Sequence, residues 1–267
     1  MAKIEDQRIL IWCNSDETLK QTIPDAVYLA IKLEKEVCLF ANYRNETEKD
    51  IFHKRLVTYS EIIKKDIPQI DISILLLKGK LHNLVRELGE VYNCIMLCFG
   101  GKMNSMLLKA FYKSGFPFYF SRGENRTNNK FKQVIIPVDF RNNTKDATLW
   151  GSYLGRFNQS EIMLLQASDN DQELKNKVDS IIAFVKRFYG QFPFNYRITR
   201  GNKSSWQIHN EAVEQSTGFD LLIFTGSFNV TLADRIIGTF EKKITNKSVH
   251  TSILLINPQQ EMYVLCN

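Results

Sequence analysis

The chain has 267 residues, of which 44% are hydrophobic and 24% charged, and 35 basic against 29 acidic side chains give a net charge of +6. That length suits two domains of roughly 130 residues, each large enough to bury its own core. The composition excludes an intrinsically disordered chain.

The amino terminus, MAKIEDQRIL, is charged and leads into the first predicted strand. No apolar run approaches the roughly 18 residues of a membrane helix, so a cytoplasmic protein without a secretory signal or membrane insertion is expected. From Arg8 to Cys13 the chain reads as a strand, followed by the polar loop Asn14 to Glu17 and a helix through Ala26, Leu29, Ala30 and Leu33. Val37 to Ala41 is the second strand. Thr47 to Lys65 carries Ile51, Leu56, Tyr59, Ile62 and Ile63 at helical spacing, and Pro68 stops it. Ile72 to Leu77 is the third strand, Leu81 to Glu90 a helix, and Cys94 to Phe99 a fourth, continuously apolar strand expected to be central. Gly100-Gly101 turns the chain into a helix containing Met106, Leu107, Leu108 and Phe111, and Phe116 to Ser121 is the fifth strand.

Asn125 to Lys130 reads as a linker, placing domains at 1–124 and 131–267. The densest basic group, Arg122, Arg126, Lys130 and Lys132, lies around it without interleaved aromatics. A solvated linker is expected there, and no nucleic-acid partner.

Beyond the linker, Val134-Ile135-Ile136-Pro137-Val138 is an apolar run ended by Asp139, the pattern of a strand buried on both faces of a parallel sheet. Asp139 then stands at the carboxyl end of its strand, where open α/β sheets bind ligands. A helix through Ala147, Trp150, Tyr153, Leu154 and Phe157 leads to the strand Glu161 to Gln166. Next come a helix from Gln172 to Tyr189, a strand from Asn195 to Thr199, a turn at Gly201 and a helix from Trp206 to Gln215. The strand Asp220 to Thr225, a loop at Gly226 to Asn229, a helix from Leu232 to Thr245 and the strand Ser252 to Ile256 complete the order. The apolar tail after Pro258 is expected to pack on the other half or on a partner subunit.

Tyr28-Leu29-Ala30 before Glu36-Val37 is matched by Tyr153-Leu154-Gly155 before Glu161-Ile162, and 153 − 28 and 161 − 36 both equal 125. The same offset carries Val134 to Asp139 back onto Ile9 to Asn14, so the chain reads as one fold written twice.

The second half resembles the universal stress protein family in the order Val134 to Phe140, Gly201 with Ile208 and Ala212, Asp220 to Phe224, Gly238-Thr239 and Ser252 to Ile256. The first half is similar to a diverged copy. The resemblance implies two flavodoxin-like, adenine nucleotide alpha hydrolase-like domains, each a five-stranded parallel sheet with helices on both faces. It also implies dimeric pairing, met either between the two domains of one chain or by a homodimer.

ATP-binding members carry Gly, two residues, Gly, nine residues, then Gly followed by Ser or Thr. Counting back from Gly238-Thr239, the earlier glycine positions fall on Thr225 and Phe228, whose side chains crowd the triphosphate path. What the resemblance implies for an adenine nucleotide, ATP or AMP, is a site of Pro137, Val138, Asp139, Gly226, Gly238 and Thr239, with Asp139 on the nucleoside. Asn14 replaces that aspartate in the first half. Each residue also has a structural use: Asp139 as a helix cap, Gly238 for close packing and Thr239 as a plain helix residue.

The chemistry of an enzyme has little footing. Ser204, Ser205 and His209 share a short stretch without a third orienting group, and Ser204-Ser205 reads as a helix start. Asp139 lacks the acidic neighbour a phosphoacceptor needs. His53, His82, His209 and His250 are far apart, giving no metal cluster, and the odd count of 5 cysteines, Cys13, Cys38, Cys94 and Cys98 lying at predicted strands, points to reduced thiols. Two non-catalytic functions remain: a stress-response module that binds an adenine nucleotide weakly, and a nucleotide-independent regulatory module, for example on a membrane transporter.

Overall fold

The computed structural model describes residues 7–15, 19–122, 130–227 and 239–258. Two compact units divide them, the first ending at Ser121 and the second running from Arg122 to Pro258.

In the first unit β1 (Arg8–Trp12), α1 (Leu19–Leu33), β2 (Glu36–Tyr43), α2 (Glu46–Asp66) and β3 (Ile72–Lys78) are followed by α3 (Leu81–Glu90), β4 (Cys94–Gly100), α4 (Ser105–Phe111) and β5 (Phe118–Ser121). The strands pair in parallel in the order β3-β2-β1-β4-β5. In the second unit β6 (Gln133–Val138), α5 (Thr144–Asn158), β7 (Glu161–Gln166), α6 (Gln172–Tyr189) and β8 (Tyr196–Arg200) precede α7 (Ile208–Gln215), β9 (Leu221–Thr225), α8 (Phe240–Lys247) and β10 (Ser252–Ile256). Its parallel order is β8-β7-β6-β9-β10. Each chain half starts in the middle of its sheet, builds one side, then returns and builds the other. Right-handed crossovers in opposite directions place helices on both faces.

Strands covered on both faces carry unbroken apolar runs: β9 and β10 are buried throughout, and Cys94 to Phe99 of β4 likewise. Helix starts are fixed by side chains that satisfy otherwise orphaned amides. Asn45 accepts from Glu48 N–H, Asn104 from Met106 and Leu107, and Asp171 from Glu173 and Leu174. Tyr119 and Ser121 of β5 donate hydroxyls to the buried carboxylate of Asp25 on α1 at 2.8 and 2.7 Å, tying helix to sheet.

The duplication is visible in the strand register. Ile9 pairs with Val37 and Val134 with Ile162, so 134 − 9 and 162 − 37 are both 125. Ile9 also pairs with Met96 and Val134 with Leu221, where 221 − 96 is again 125. Between the last two strands the offset changes: Leu97 pairs with Phe118 and Leu222 with Ile253, and 253 − 118 is 135. The second unit therefore has 135 − 125 = 10 extra residues between β9 and β10, the stretch of sequence that carries the glycine pattern.

Three readings of the sequence change. Arg122 is not a solvated linker residue: it is buried, its guanidinium donates to the carbonyls of Ser248 and Thr245, and its backbone N–H to Ser252 Oγ. Trp206 precedes α7 in a turn, because Gln207 and Ile208 both donate to Ser204 O. The last helix starts at Phe240 behind the extended cap residue Thr239, which interrupts the expected helix Leu232 to Thr245, and 232–238 and the tail from 259 lie outside the described residues.

Candidate functional site

The chain runs from β6 to β7 on one side and reaches β9 on the other, so the topological switch point lies between β6 and β9. Val138 ends β6, with Pro137 and Val138 buried and paired with Leu165 and Gln166. Asp139 follows at 2% exposure. Across the crevice β9 ends at Thr225, and Gly226 follows it.

Asp139 is engaged by its own loop. Oδ1 accepts from Arg141 N–H at 2.8 Å and from the Thr144 hydroxyl at 2.7 Å, while Oδ2 accepts from Arg141 Nε at 2.7 Å. The rest of the guanidinium spans the crevice. Nη1 donates to Gly226 O at 3.3 Å, and Nη2 donates to Thr225 O at 3.2 Å and faces His209 Nε2 at 3.3 Å. Its Cζ lies 5.5 Å from the centre of the Phe240 ring. Asn143 completes the lacing, accepting from the Thr225 hydroxyl at 3.1 Å through its carbonyl and donating Nδ2 toward Gly226 O.

His209 is buried between Phe224 and Phe240, with ring centroids 5.9 and 4.7 Å away. Desolvation pushes its pKa down to about 3; Asp139 pulls the other way and Arg141 adds to the depression. A neutral imidazole facing a guanidinium accepts at Nε2, so the proton sits on Nδ1. Ser205 gives its backbone N–H and hydroxyl to Asp169.

Of the residues predicted for the site, Asp139 and Gly226 come together. Thr239 caps α8, accepting from Lys242 N–H at 3.4 Å, and so serves the helix start. Gly238 and Phe228 lie outside the described residues. Arg141 and Asn143 were missed as site residues. The one sequence signal for Arg141 is an arginine two places after a strand-ending aspartate, a spacing that suits a turn closing on itself.

The corresponding point of the first unit is wired differently. Asn14 donates Nδ2 to Asn42 O at 2.6 Å and accepts from Asn42 N–H at 3.0 Å, turning toward β2 and away from β4. Trp12 Nε1 and the Gly79 carbonyl hold the Asn42 side chain, and Arg55 donates to Cys13 O. The Gly100-Gly101 turn has Gly101 at φ +77°, a conformation that favours glycine.

Among the described residues no group of three metal-ligating side chains converges, and no helix is long and apolar enough to cross a membrane. The described cysteines, Cys13, Cys38, Cys94 and Cys98, are buried.

No family model and no curated protein matches the sequence. Solved structures match along nearly its whole length. A universal stress protein from Archaeoglobus fulgidus DSM 4304 is 11% identical with a TM-score of 0.66, over 95% of this chain and 99% of that one. A protein of unknown function from Pseudomonas aeruginosa PAO1 is 10% identical with a TM-score of 0.66, over 96% and 94%. The cytoplasmic domain of a prokaryotic cation chloride cotransporter is 12% identical with a TM-score of 0.56, over 97% and 98%. The two parallel sheets and their switch points define a tandem α/β protein of flavodoxin-like, doubly wound fold. Within that class, the fold is similar along nearly its whole length to that of a universal stress protein.

Proposed function

We propose that the chain is a non-catalytic regulatory module of universal stress type that works without a bound nucleotide. The observation that carries this reading is the engagement of Asp139. The carboxylate that a nucleoside would need already accepts from Arg141 and Thr144, and Arg141 lies across the crevice onto the carbonyls of Thr225 and Gly226. Opening it breaks a buried, charge-assisted pair, a loss of about 3–5 kcal/mol when one partner is taken away. Association with the cytoplasmic face of a transporter is one setting for such a module, supported by likeness of fold to the cotransporter domain.

The second reading is weak adenine-nucleotide binding in the second unit through Asp139, Gly226, Gly238 and Thr239. It is favoured by the position of Asp139 and Gly226 on either side of the switch point, where doubly wound sheets hold ligands. Titration calorimetry of the purified chain with ATP and AMP separates the two. The nucleotide-independent reading expects no heat from either, and micromolar binding abolished by Asp139→Ala would overturn it.

A further inference from the structure

The polar groups that meet the Arg141 guanidinium in the crevice between β6 and β9 are all acceptors: the Asp139 carboxylate, the carbonyls of Thr225 and Gly226, and the unprotonated Nε2 of His209. The face of the Phe240 ring closes one side. Phosphate oxygens would meet a carboxylate and two carbonyls there, which repel them. A compact ammonium has three donors on one tetrahedral centre and does not match acceptors spread along a plane. A guanidinium offers five N–H donors in a flat fork, carries its charge at every accessible pH and stacks on aromatic faces.

We infer that this crevice is a guanidinium-binding site which the chain fills with its own Arg141. The ligand class it takes is an alkylguanidinium, either a free small molecule or an arginine side chain from another protein, exchanging with Arg141. This goes beyond the nucleotide-independent reading, because it assigns the site a ligand chemistry opposite in charge to a nucleotide. In the wild-type chain an added guanidinium competes with a tethered one. The effective concentration of a short tether makes external binding weaker by about tenfold or more.

The experiment empties the site and refills it. Arg141→Ala is melted with and without guanidinium or methylguanidinium at concentrations far below denaturing, with urea and methylammonium as controls. The variant is expected to melt lower than wild type and to recover most of the loss, saturably, with the two guanidinium ions alone, while wild type does not gain. The His209 ring, followed by NMR, is expected to titrate at higher pH in the variant, since Asp139 is then unopposed, and to return downward when guanidinium is added. If the alanine variant does not fold, Arg141→Lys supplies the second measurement. It keeps the charge without the fork, and the inference expects a lowered melting temperature that methylguanidinium raises.

Failure of guanidinium to stabilise either variant, or a wild-type melting temperature in Arg141→Lys, overturns the inference. Micromolar ATP binding gained by Arg141→Ala overturns it as well. Wild-type nucleotide binding tests the nucleotide-independent reading separately. Comparing capped arginine with free guanidinium distinguishes the sources: tighter binding of the capped residue points to a protein side chain, the reverse to a small molecule, and either upholds the site.

Discussion

Asp146 stands in the first turn of α5, and burial pushes its carboxyl up to about 6 while Lys145 pulls the other way. A folded pKa raised above the unfolded 3.8 means that the folded state holds the proton longer. Its stabilising contribution is therefore complete below pH 3.8 and is lost as pH rises through about 6. Asp146→Asn removes that loss. Partial exposure screens the effect, so the variant is expected to melt about 2–4 °C above wild type at pH 8 and level with it near pH 4, which thermal melts at the two pH values check. At the same scale, Asp139 was legible because a small acidic residue ended an apolar run. Its partners were not: His209 meets Arg141 across 68 residues, and no local pattern marks a contact made by folding.

At the scale of elements, the grip of α5 on the sheet depends on Gly151. A Cβ there would lie 2.5 Å from Ile136 Cδ1 and 2.7 Å from Tyr189 Oη, so β6, α5 and α6 meet at a point with no room for a methyl group. Tyr189 also donates to Thr148 O at 2.6 Å, fixing the ring that Gly151 admits. Gly151→Ala is expected to cost about 1–3 kcal/mol by overpacking, measured by urea denaturation as a lower midpoint with an unchanged slope. Because α5 starts at the loop that carries Asp139 and Arg141, the same variant reports on the site's mounting.

Most elements were readable from apolar runs and from helical spacing, since a strand covered on both faces has nowhere to place a polar side chain. The ends were less so. The last turn before α7 depends on Ser204 O accepting from both Gln207 and Ile208, a choice made by backbone geometry and not by side-chain pattern. Strand position was also hidden in part: β3, Ile72 to Lys78, is as apolar as an inner strand yet half-buried along nearly its whole length at the edge of its unit's sheet. Its counterpart β8 carries Arg197 and Arg200, the charged guard that edge strands usually display.

For the molecule as a whole, we propose that residues 1–124 and 131–267 are the inherited domains, with the second able to fold alone. Arg122 qualifies the boundary, because its guanidinium caps carbonyls of the second unit from before the linker. A fragment starting at residue 131 is expected to melt cooperatively. One starting at residue 122 should be more stable by about 1.5–3 kcal/mol, the worth of hydrogen bonds to a charged group. Circular dichroism melts of the two fragments give the comparison, and a fragment from residue 131 without a cooperative transition would contradict the boundary.

The amino-acid sequence by itself determined the doubled architecture, because burial on two faces and helical periodicity are written into neighbouring residues, and the offset of 125 repeats in the words of both halves. It also placed Asp139 at a strand's carboxyl end. Only the tertiary structure decided what that aspartate faces, since the crevice is built from β6, β9, α7 and α8, and the charge of a site is the sum of groups that meet only when the sheet has closed around them.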